Sequence, residues 1–311
     1  MSGLPGMRRR LQNPMAVRPP RVGRGNDFME ISAPDAPRGP RSFRKEGKHM
    51  SDMINKEELI PVLETRKLGI AFGGLKAVDD FNIRIYKGEL VGLIGPNGAG
   101  KTTVFNMLTG VYVPTEGTVL LEGQPLNGKK THQFVEAGIA RTFQNIRLFK
   151  EMSVIDNVKA ACTKDIKYGL IATTFRTKSY WETEEAVQEK CMKLLELVHL
   201  EDKADWQAQN LPYGQQRRLE IARALATDMK VLLLDEPAAG MNPTETDELM
   251  AVINEIRDRF GIAILLIEHD MSLVMRVCER ITVLDYGKTI AEGLPEEIAN
   301  NPQVIAAYLG S

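Results

Sequence analysis

The sequence predicts an α/β fold built on a mostly parallel sheet, and three observations support this prediction. Apolar segments of strand length alternate with amphipathic helical segments over most of the 311 residues. A glycine-rich phosphate-binding motif lies between one such strand and a helix. Further strands end in acidic residues or lead to a histidine, at the edge where parallel sheets bind ligands.

Hydrophobic periodicity places the individual elements, with a period of about two for strands and about 3.6 for helices. The predicted strands are Val62–Leu68, Phe81–Tyr86, Leu90–Ile94, Gly117–Leu121, Val231–Leu234, Ile262–Ile267 and Ile281–Asp285. The predicted helices follow the phosphate motif to about Thr109 and then cover Trp181–Val198, Leu219–Ala226, Glu245–Phe260 and Met271–Cys278. The stretch from about Val154 to Val198 shows helical but no strand signals, which predicts an inserted helical subdomain.

Composition excludes several classes of protein. The chain is 43% hydrophobic and 26% charged, as globular proteins are, and contains no apolar run of the about 18 residues that a membrane-spanning helix needs. The three cysteines are scattered along the chain and predict neither a disulfide framework nor a metal site. A reducing cytosol is the compartment that this pattern favours.

The N-terminal stretch differs from the rest in charge and composition. Residues 1–49 contain eleven Lys and Arg against four Asp and Glu, a local charge of +7 in a chain of net charge −1. The stretch is rich in Pro and Gly and lacks apolar periodicity, which predicts a disordered basic tail over residues 1–53. It can be interpreted as an arm for anionic lipid or nucleic acid, as a targeting peptide, or as either a solvated tail or upstream codons misread as protein, with a true start at Met50 or Met53. The last interpretation is favoured, because the stretch has no site-like spacing.

The segment Gly95–Thr103 fits the phosphate-binding pattern G-x-x-x-x-G-K-[ST] and has the strand before it and the helix after it that the pattern requires. Its residues are Gly95, Pro96, Asn97, Gly98, Ala99, Gly100, Lys101, Thr102 and Thr103. The glycines let backbone N–H groups approach phosphate oxygens, and the helix adds its positive end. Lys101 is predicted to lie between β- and γ-phosphates, and Thr102 to offer a hydroxyl to Mg²⁺.

Two strand ends are predicted to complete a catalytic centre. The strand Val231–Leu234 is followed by Asp235, predicted to bind Mg²⁺ through water, and by Glu236, predicted to orient and polarise the attacking water. The strand Ile262–Ile267 leads to His269, which can donate a hydrogen bond to a γ-phosphate, although a single histidine is more often structural. These motifs matter because kinases, GTPases, helicases and transport ATPases all share the phosphate loop.

The segment Leu211–Leu225 begins with a turn and continues as an amphipathic helix. Gly214 can present a backbone N–H at the helix N-terminus, where anions are favoured. The three arginines of this helix can also be interpreted as a solvated face, and they are Arg217, Arg218 and Arg223.

The order of these motifs, with Gln144 in a Thr-Phe-Gln sequence between the phosphate loop and the arginine-containing helix, resembles the ATP-binding-cassette (ABC) ATPases over about residues 62–311. The resemblance implies a P-loop NTPase with a RecA-like core, an antiparallel β subdomain and an inserted helical subdomain. It implies an ATP-binding domain over residues 60–311 with the helical subdomain at about residues 145–215. ATP and Mg²⁺ are the cofactors it implies.

The same resemblance implies roles for single residues. Gln144 would link Mg²⁺ and water to the helical subdomain, and Phe72 would stack on adenine, unless it is an aromatic residue of the strand core. Gly214 and Gln215 would bind the ATP of an opposing cassette. Together with Glu236 and His269, Gln144 would form the catalytic set, and Thr102, Gln144 and Asp235 would hold the metal.

A closer resemblance is to the ATPase subunits of branched-chain amino acid importers. The stretches that carry it are Arg141–Val154, Tyr213–Leu225, Glu236–Pro243, Ile267–Met271 and Ala306–Gly310, with Lys167–Tyr180 as a longer insert typical of the first of two such ATPases. It implies a peripheral protein at the cytoplasmic face of the inner membrane that powers uptake of leucine, isoleucine and valine. The implied partners are two integral-membrane permease subunits, a second and different ABC ATPase and, indirectly, a periplasmic or extracellular solute-binding protein, with no nucleic acid.

Two departures from the general cassette pattern concern the opposing ATP. The usual L-S-G-G-Q signature is Leu-Pro-Tyr-Gly-Gln here, so that Pro212 replaces a serine and offers neither hydroxyl nor backbone N–H. Asn242 stands where the family usually has Asp. The alternatives left open are an ATPase for lipopolysaccharide export, one for urea or short-chain amide import, a soluble cassette protein acting on ribosomes or DNA, and a nucleotide-gated binding module without catalysis.

Overall fold

A computed structural model describes residues 60–309 except 163–164, 167–168 and 170–173. The predicted tail of residues 1–53 lies outside the described residues, as does part of the insert Lys167–Tyr180. The helices and strands below belong to the described part of the chain.

The larger sheet is mostly parallel, as predicted. Its strands are, in spatial order, β10 (Lys288–Gly293), β9 (Arg280–Asp285), β3 (Leu90–Ile94), β8 (Ala263–Ile267), β7 (Val231–Asp235) and β6 (Ile139–Arg141). Neighbouring strands pair in parallel except β10, which pairs antiparallel with β9. The central strands β3, β8 and β7 are buried along their whole length, because both faces of the sheet are covered.

A second, smaller sheet is antiparallel and is formed by strands that precede residue 126 in the chain. Its strands are, in spatial order, β2 (Leu75–Ile85), β1 (Leu63–Phe72), β4 (Glu116–Leu121) and β5 (Gln124–Pro125). The first two strands are longer than predicted. Their register shifts at Thr65/Leu68 and at Leu68/Ile70, and such irregularities break the two-residue alternation from which the ends of a strand are predicted.

The α-helices lie mainly where apolar periodicity predicts them. They are α1 (Lys101–Leu108), α2 (Thr131–Ala137), α3 (Val154–Lys159), α4 (Lys178–Leu197), α5 (Tyr213–Leu225), α6 (Pro243–Phe260), α7 (Met271–Val277), α8 (Pro295–Ala299) and α9 (Pro302–Leu309). Helix α5 begins six residues before the predicted Leu219, because its first turn is polar and shows no apolar stripe. The elements that were not predicted have eight residues or fewer, which gives a weak periodic signal, and they are α2, α8, α9, β5, β6 and β10. No helix in the described ranges is both long and apolar enough to cross a membrane.

Alternate residues of the same strands belong to two separate apolar cores. Leu232 and Ile264 pack with residues of α3 to α7 on one face of the larger sheet. Leu233 and Leu265 pack with α1 and the smaller sheet on the other face. The sheet is therefore covered on both sides, and only the ends of its strands are left for a site.

The helical core brings together cysteines that are scattered in the sequence. The Sγ atoms of Cys162 and Cys191 lie 3.6 Å apart in the apolar core that contains residues of α3 to α7. All three cysteines are buried and free, so that none forms a disulfide in this structure.

Candidate functional site

The predicted phosphate-binding, metal-binding and catalytic residues lie at the carboxyl ends of strands that are neighbours in the larger sheet. Gly95–Thr103 follows β3, and Gln144 follows β6. Asp235 is the last residue of β7, Glu236 comes next, and His269 lies two residues beyond β8. Because β3, β8, β7 and β6 are consecutive, the sheet brings these segments to one edge.

The phosphate loop has a backbone conformation that its glycines make possible. Gly95, Gly98 and Gly100 have φ values of +152°, +81° and +103°. A Cβ atom at Gly95 would lie 2.0 Å from the carbonyl oxygen of Leu284, so that only glycine fits there. A Cβ at Gly100 would lie 2.9 Å from the carbonyl oxygen of Ala77 in β2. The loop is thus held between the ends of both sheets.

Lys101 is buried at the first position of α1 and folds back over the loop. Its Nζ donates hydrogen bonds to the carbonyl oxygens of Gly95, at 2.5 Å, and Pro96, at 2.9 Å. Burial lowers the pKa of Lys101, and the carboxylates of Glu236 and Asp235 partly oppose this effect. A phosphate oxygen would offer the ammonium a charged acceptor in place of two neutral carbonyls, which is a stronger interaction.

Three predicted catalytic residues form one hydrogen-bonded group. Gln144 Nε2 donates to Glu236 Oε2 at 2.8 Å, and His269 Nε2 lies 2.6 Å from Glu236 Oε1. Glu236 has a φ of +48°, which is strained for a residue with a side chain, and its N–H donates to Ile267 O at 2.9 Å. Both carboxylate oxygens of Glu236 are therefore held in place. A group that accepts a proton from a positioned water must be fixed in this way.

Asp235 has a partner that the sequence did not indicate. Its Oδ2 accepts a hydrogen bond of 2.6 Å from Arg141 Nη2. Arg141 Nη1 donates to Asn106 Oδ1 at 2.7 Å, and its guanidinium lies near the rings of Phe105, at 5.4 Å, and Phe143, at 4.9 Å. The two side chains are buried, so Arg141 fixes the orientation of Asp235. The sequence signal that could have suggested this contact is the presence of Arg141 three residues before Gln144.

The metal ligands available at this edge of the larger sheet suit Mg²⁺ better than a metal ion that is coordinated by protein side chains alone. The described residues include no group of three or more His, Cys, Asp or Glu side chains that could hold a metal ion. Thr102, Gln144 and the second oxygen of Asp235 are oxygen donors, and Thr102 and Gln144 are exposed. Mg²⁺ keeps several waters and binds substrate phosphates, so that few protein ligands suffice.

Glu268 contacts the backbone on two sides of the site and was not predicted from the sequence to take part in it. It is buried, and its carboxylate accepts hydrogen bonds from the N–H groups of Ala238, at 2.9 Å, and His269, at 3.3 Å. Burial raises the pKa of Glu268, while these N–H groups act in the opposite direction. The side chain thereby connects the segment after Glu236 to the segment that carries His269.

Phe72 lies at the end of β1 in the hairpin that leads into β2. Its side chain is about half exposed, at 47%, and makes an edge contact with Tyr112 at a centroid distance of 5.3 Å. The alternative of a core aromatic is therefore wrong. In the same hairpin, the carbonyl oxygen of Ala77 packs against Gly100 of the phosphate loop. A half-exposed ring beside a phosphate loop can stack on a base.

The signature residues contact a different part of the molecule from the phosphate loop. A Cβ atom on Gly214 would lie 3.6 Å from Glu245 of α6, and Gln215 Oε1 accepts a hydrogen bond of 2.9 Å from Lys203 Nζ. Both residues stand in the first turn of α5, with Pro212 at its N-cap. Both residues are partly exposed.

Asn242 performs a local structural task in place of the usual aspartate. Its Oδ1 accepts the N–H of Glu245 at 3.0 Å, and Glu245 Oε2 accepts the N–H of Asn242 at 3.1 Å. This reciprocal pair is a capping box at the start of α6. The amide therefore retains the helix cap that an aspartate would provide.

The arginines of α5 are not one solvated face. Arg217 is fully buried, and its interpretation as a solvated residue is wrong. Arg218 Nη1 donates to the carbonyl oxygen of Val198 at 3.2 Å. Arg223 lies over the ring of Phe149 at 5.8 Å. Sequence periodicity missed this, because it marks an arginine as polar wherever it stands.

Comparison with known protein families gives two matches. The model described as "ABC transporter" matches residues 78–239. The model described as "Branched-chain amino acid ATP-binding cassette transporter" matches residues 288–311.

Similar curated proteins include transport ATPases. The chain is 50% identical over 250 residues to the high-affinity branched-chain amino acid transport ATP-binding protein LivG of Escherichia coli strain K12, across 80% of this chain and 98% of that one. It is 47% identical over 250 residues to the corresponding protein BraF of Pseudomonas aeruginosa, with the same coverage. Identity to the lipopolysaccharide export system ATP-binding protein LptB of Escherichia coli is 34% over 248 residues.

Solved structures with a similar fold are ATP-binding cassettes. The ADP conformation of MJ1267, an ATP-binding cassette of an ABC transporter, matches with a TM-score of 0.70 and 33% identity, across 81% of this chain and all of that one. A nucleotide-free ATP-binding cassette from an ABC transporter matches with a TM-score of 0.69 and 34% identity.

Proposed function

The chain belongs to the ABC transporter family as an ATP-binding protein, and from this premise we propose that it is the ATPase subunit that powers import of branched-chain amino acids. One structural observation carries the ATPase part of this proposal. Glu236 is held between Gln144 and His269 at the sheet edge that carries the phosphate loop. A carboxylate fixed in this way suits the activation of a water that attacks a bound nucleotide.

ATP binding divides between the phosphate loop and an aromatic residue. The backbone N–H groups of Gly95–Thr103 and the Lys101 ammonium bind the phosphates, as the positive φ values of the loop glycines allow. Phe72 stacks on the adenine ring. Thr102, Gln144 and Asp235 would hold Mg²⁺, which would supply positive charge to the phosphate oxygens.

Hydrolysis depends on the carboxylate group at the end of β7. Glu236 accepts the proton of the attacking water, and Gln144 holds both that water and the carboxylate in place. His269 donates to the γ-phosphate from its position beside Glu236. Arg141 keeps Asp235 oriented, and Glu268 keeps the two strand ends together. Of the residues in this paragraph, His269 is the donor that stabilises charge developing on the γ-phosphate during phosphoryl transfer.

Assembly completes the site. Gly214 and Gln215, on the outer part of the molecule, serve the ATP of a second and different cassette ATPase in a head-to-tail pair. Two integral-membrane permease subunits receive the motion at the cytoplasmic face of the inner membrane, and a solute-binding protein delivers the amino acid to them. We further propose an ATP-binding domain over residues 60–311 with the helical subdomain at residues 145–215.

Import is favoured over lipopolysaccharide export by two observations. Identity to the importer protein LivG is 50%, against 34% for the export protein LptB, over almost the same length. The C-terminal residues 288–311 match a model named for branched-chain amino acid transporters.

The experiment that tests this function is recovery of the tagged full chain from detergent-solubilised native membranes, with partners identified by mass spectrometry. We expect two polytopic permeases and a second cassette ATPase, and the purified complex should hydrolyse ATP faster when leucine-loaded binding protein is added. Recovery of ribosomal or DNA-repair proteins without membrane proteins would contradict the transport function. If ATP hydrolysis by the complex responded to urea and not to leucine, the assignment of branched-chain amino acids as the solute would be wrong.

Replacing Phe72 tests the adenine contact. Phe72→Ala is expected to weaken ATP binding about 10-fold, because stacking of a base on an aromatic ring contributes roughly 1–3 kcal/mol. Titration with a fluorescent ATP analogue measures the change, and binding of inorganic triphosphate, which has no base, should stay the same. Phe260→Ala is the matched control, since Phe260 is 46% exposed at the end of α6. Equal ATP affinity of the two variants would exclude the stacking role.

A further inference from the structure

Arg217 is a fully buried charge on α5 that has no role in the site described so far. Its Nη1 donates to the carbonyl oxygen of Phe143 at 2.6 Å, and its Nη2 donates to the carbonyl oxygen of Gln144 at 2.8 Å. Nη2 also lies 3.3 Å from the hydroxyl of Tyr213, one turn earlier on the same helix. The guanidinium therefore holds the carbonyl groups of the two peptide bonds that flank Gln144.

The counterion of Arg217 is Glu220, one turn later on α5. Glu220 Oε2 accepts a hydrogen bond of 2.7 Å from Arg217 Nη1, and both side chains are almost entirely buried. Glu220 Oε1 lies 3.4 Å from the N–H of Arg147, so the pair contacts the Gln144 loop at a second point. Burial raises the pKa of Glu220, and the charge of Arg217 opposes this effect.

Stability alone is a weak reason for such a pair. Removing two charges from water is costly, and apolar residues of similar volume often stabilise a protein as well or better. Each hydrogen bond from Arg217 to the loop ends on a carbonyl oxygen beside the catalytic glutamine. The arrangement is therefore better explained by the geometry that it imposes on Gln144.

We propose that Arg217, held by Glu220, is a positioning residue that fixes Gln144 against Glu236 and ties it to the helix that carries Gly214 and Gln215. This inference rests on the catalytic role proposed above for Gln144. The chain of contacts runs from α5 through Arg217 to the Gln144 backbone, and from the Gln144 side chain to Glu236 Oε2 at 2.8 Å. A displacement of α5 is thereby passed to the group that activates water.

As a consequence, Arg217 connects two ATP sites, the one on this chain's own phosphate loop and the one on the opposing cassette. The first turn of α5 carries the residues proposed to serve the opposing ATP, whereas Gln144 serves the ATP on this chain's own phosphate loop. Arg217 stands one turn into α5 and reaches both the Tyr213 hydroxyl and the Gln144 carbonyl. A movement of α5 on closure around the opposing ATP would therefore reach the glutamine of this chain's own site.

The test uses Arg217→Lys, because lysine retains the charge but cannot reach two carbonyl oxygens with one planar fork. The matched control is Arg218→Lys, the next residue on the same helix, whose guanidinium donates to Val198 O and not to the Gln144 loop. The full chain is assayed in its purified membrane complex for kcat, KM and affinity for a fluorescent ATP analogue. Thermal unfolding of each variant shows whether it is folded.

For Arg217→Lys we expect kcat to fall about 10-fold, because a displaced catalytic group costs roughly 10- to 100-fold. Nucleotide affinity should stay within about twofold of the parent, since the phosphate loop is unchanged. Arg218→Lys should match the parent in both. The double variant Arg217→Met/Glu220→Leu removes the charges together and should fold normally, yet show the same low kcat. Normal kcat in this folded double variant would overturn the proposal.

A double-mutant cycle separates positioning from general damage. Gln144→Ala should itself lower kcat, and adding Arg217→Lys to it should cause less than about a twofold further fall, because the group that Arg217 positions is already absent. A further fall of about 10-fold would overturn the positioning role and leave the proposed function standing. Full turnover in Gln144→Ala would instead refute the catalytic role of Gln144, and the inference with it.

Discussion

Glu236→Gln is expected to lower ATP turnover by at least about 100-fold, which is the lower range of what a general base contributes. Glutamine has the same shape and can still contact Gln144 and His269, which lie 2.8 and 2.6 Å from the two carboxylate oxygens. The geometry is therefore retained, while the group can no longer accept a proton from water. Phosphate release measured on the full chain gives the change in kcat.

The same substitution is expected to preserve ATP binding, because Glu236 is not part of the phosphate loop. An ATP-bound pair of cassettes should then persist, since binding continues without the hydrolysis that separates the halves. Size-exclusion chromatography of the variant with ATP should show the closed pair, and addition of ADP in its place should not. Glu189→Gln is the control, because Glu189 lies on the exposed surface and pairs only with Lys193 in the described contacts. Parent-like turnover in Glu236→Gln would remove Glu236 from the mechanism.

Lys101→Ala is expected to weaken ATP binding by roughly 10- to 100-fold, because a hydrogen bond to a charged group contributes about 1.5–3 kcal/mol. In this structure the Lys101 ammonium lies on the carbonyl oxygens of Gly95 and Pro96, where a phosphate would replace them as acceptor. Alanine at the first position of α1 keeps the helix, so the loss is specific to the charge. Equilibrium binding of a fluorescent ATP analogue measures it.

Two controls sharpen this result. Lys178→Ala removes a lysine whose side chain is 90% exposed, and should leave ATP affinity unchanged. Adenosine, which has no phosphates, should bind the parent and Lys101→Ala equally weakly. Undiminished ATP affinity in Lys101→Ala would show that the phosphates bind elsewhere. The two variants separate binding from chemistry, since Lys101→Ala should lower ATP affinity and Glu236→Gln should lower kcat.

The central fold followed from the sequence because its signals are local. Strand β3 begins and ends where the apolar run predicts, and β7 and β8 differ from their predicted ranges by a single residue at one end. Each is a continuous run buried on both faces, which periodicity detects well. The β6 strand was missed because it has three residues, although it carries the chain to Gln144. Three residues are too few for a period to be recognised.

The sequence by itself determined which residues bind phosphate and which supply carboxylates, because that chemistry needs particular side chains at fixed spacings within one strand, loop and helix. Only the tertiary structure decided how they meet. Gln144 and Glu236 are 92 residues apart, Arg141 and Asp235 are 94 apart, and Arg217 reaches Gln144 across 73. Such contacts depend on the order of strands in the sheet and on which charges become buried. No short-range pattern encodes either, and the burial of Arg217 was therefore visible only in the folded chain.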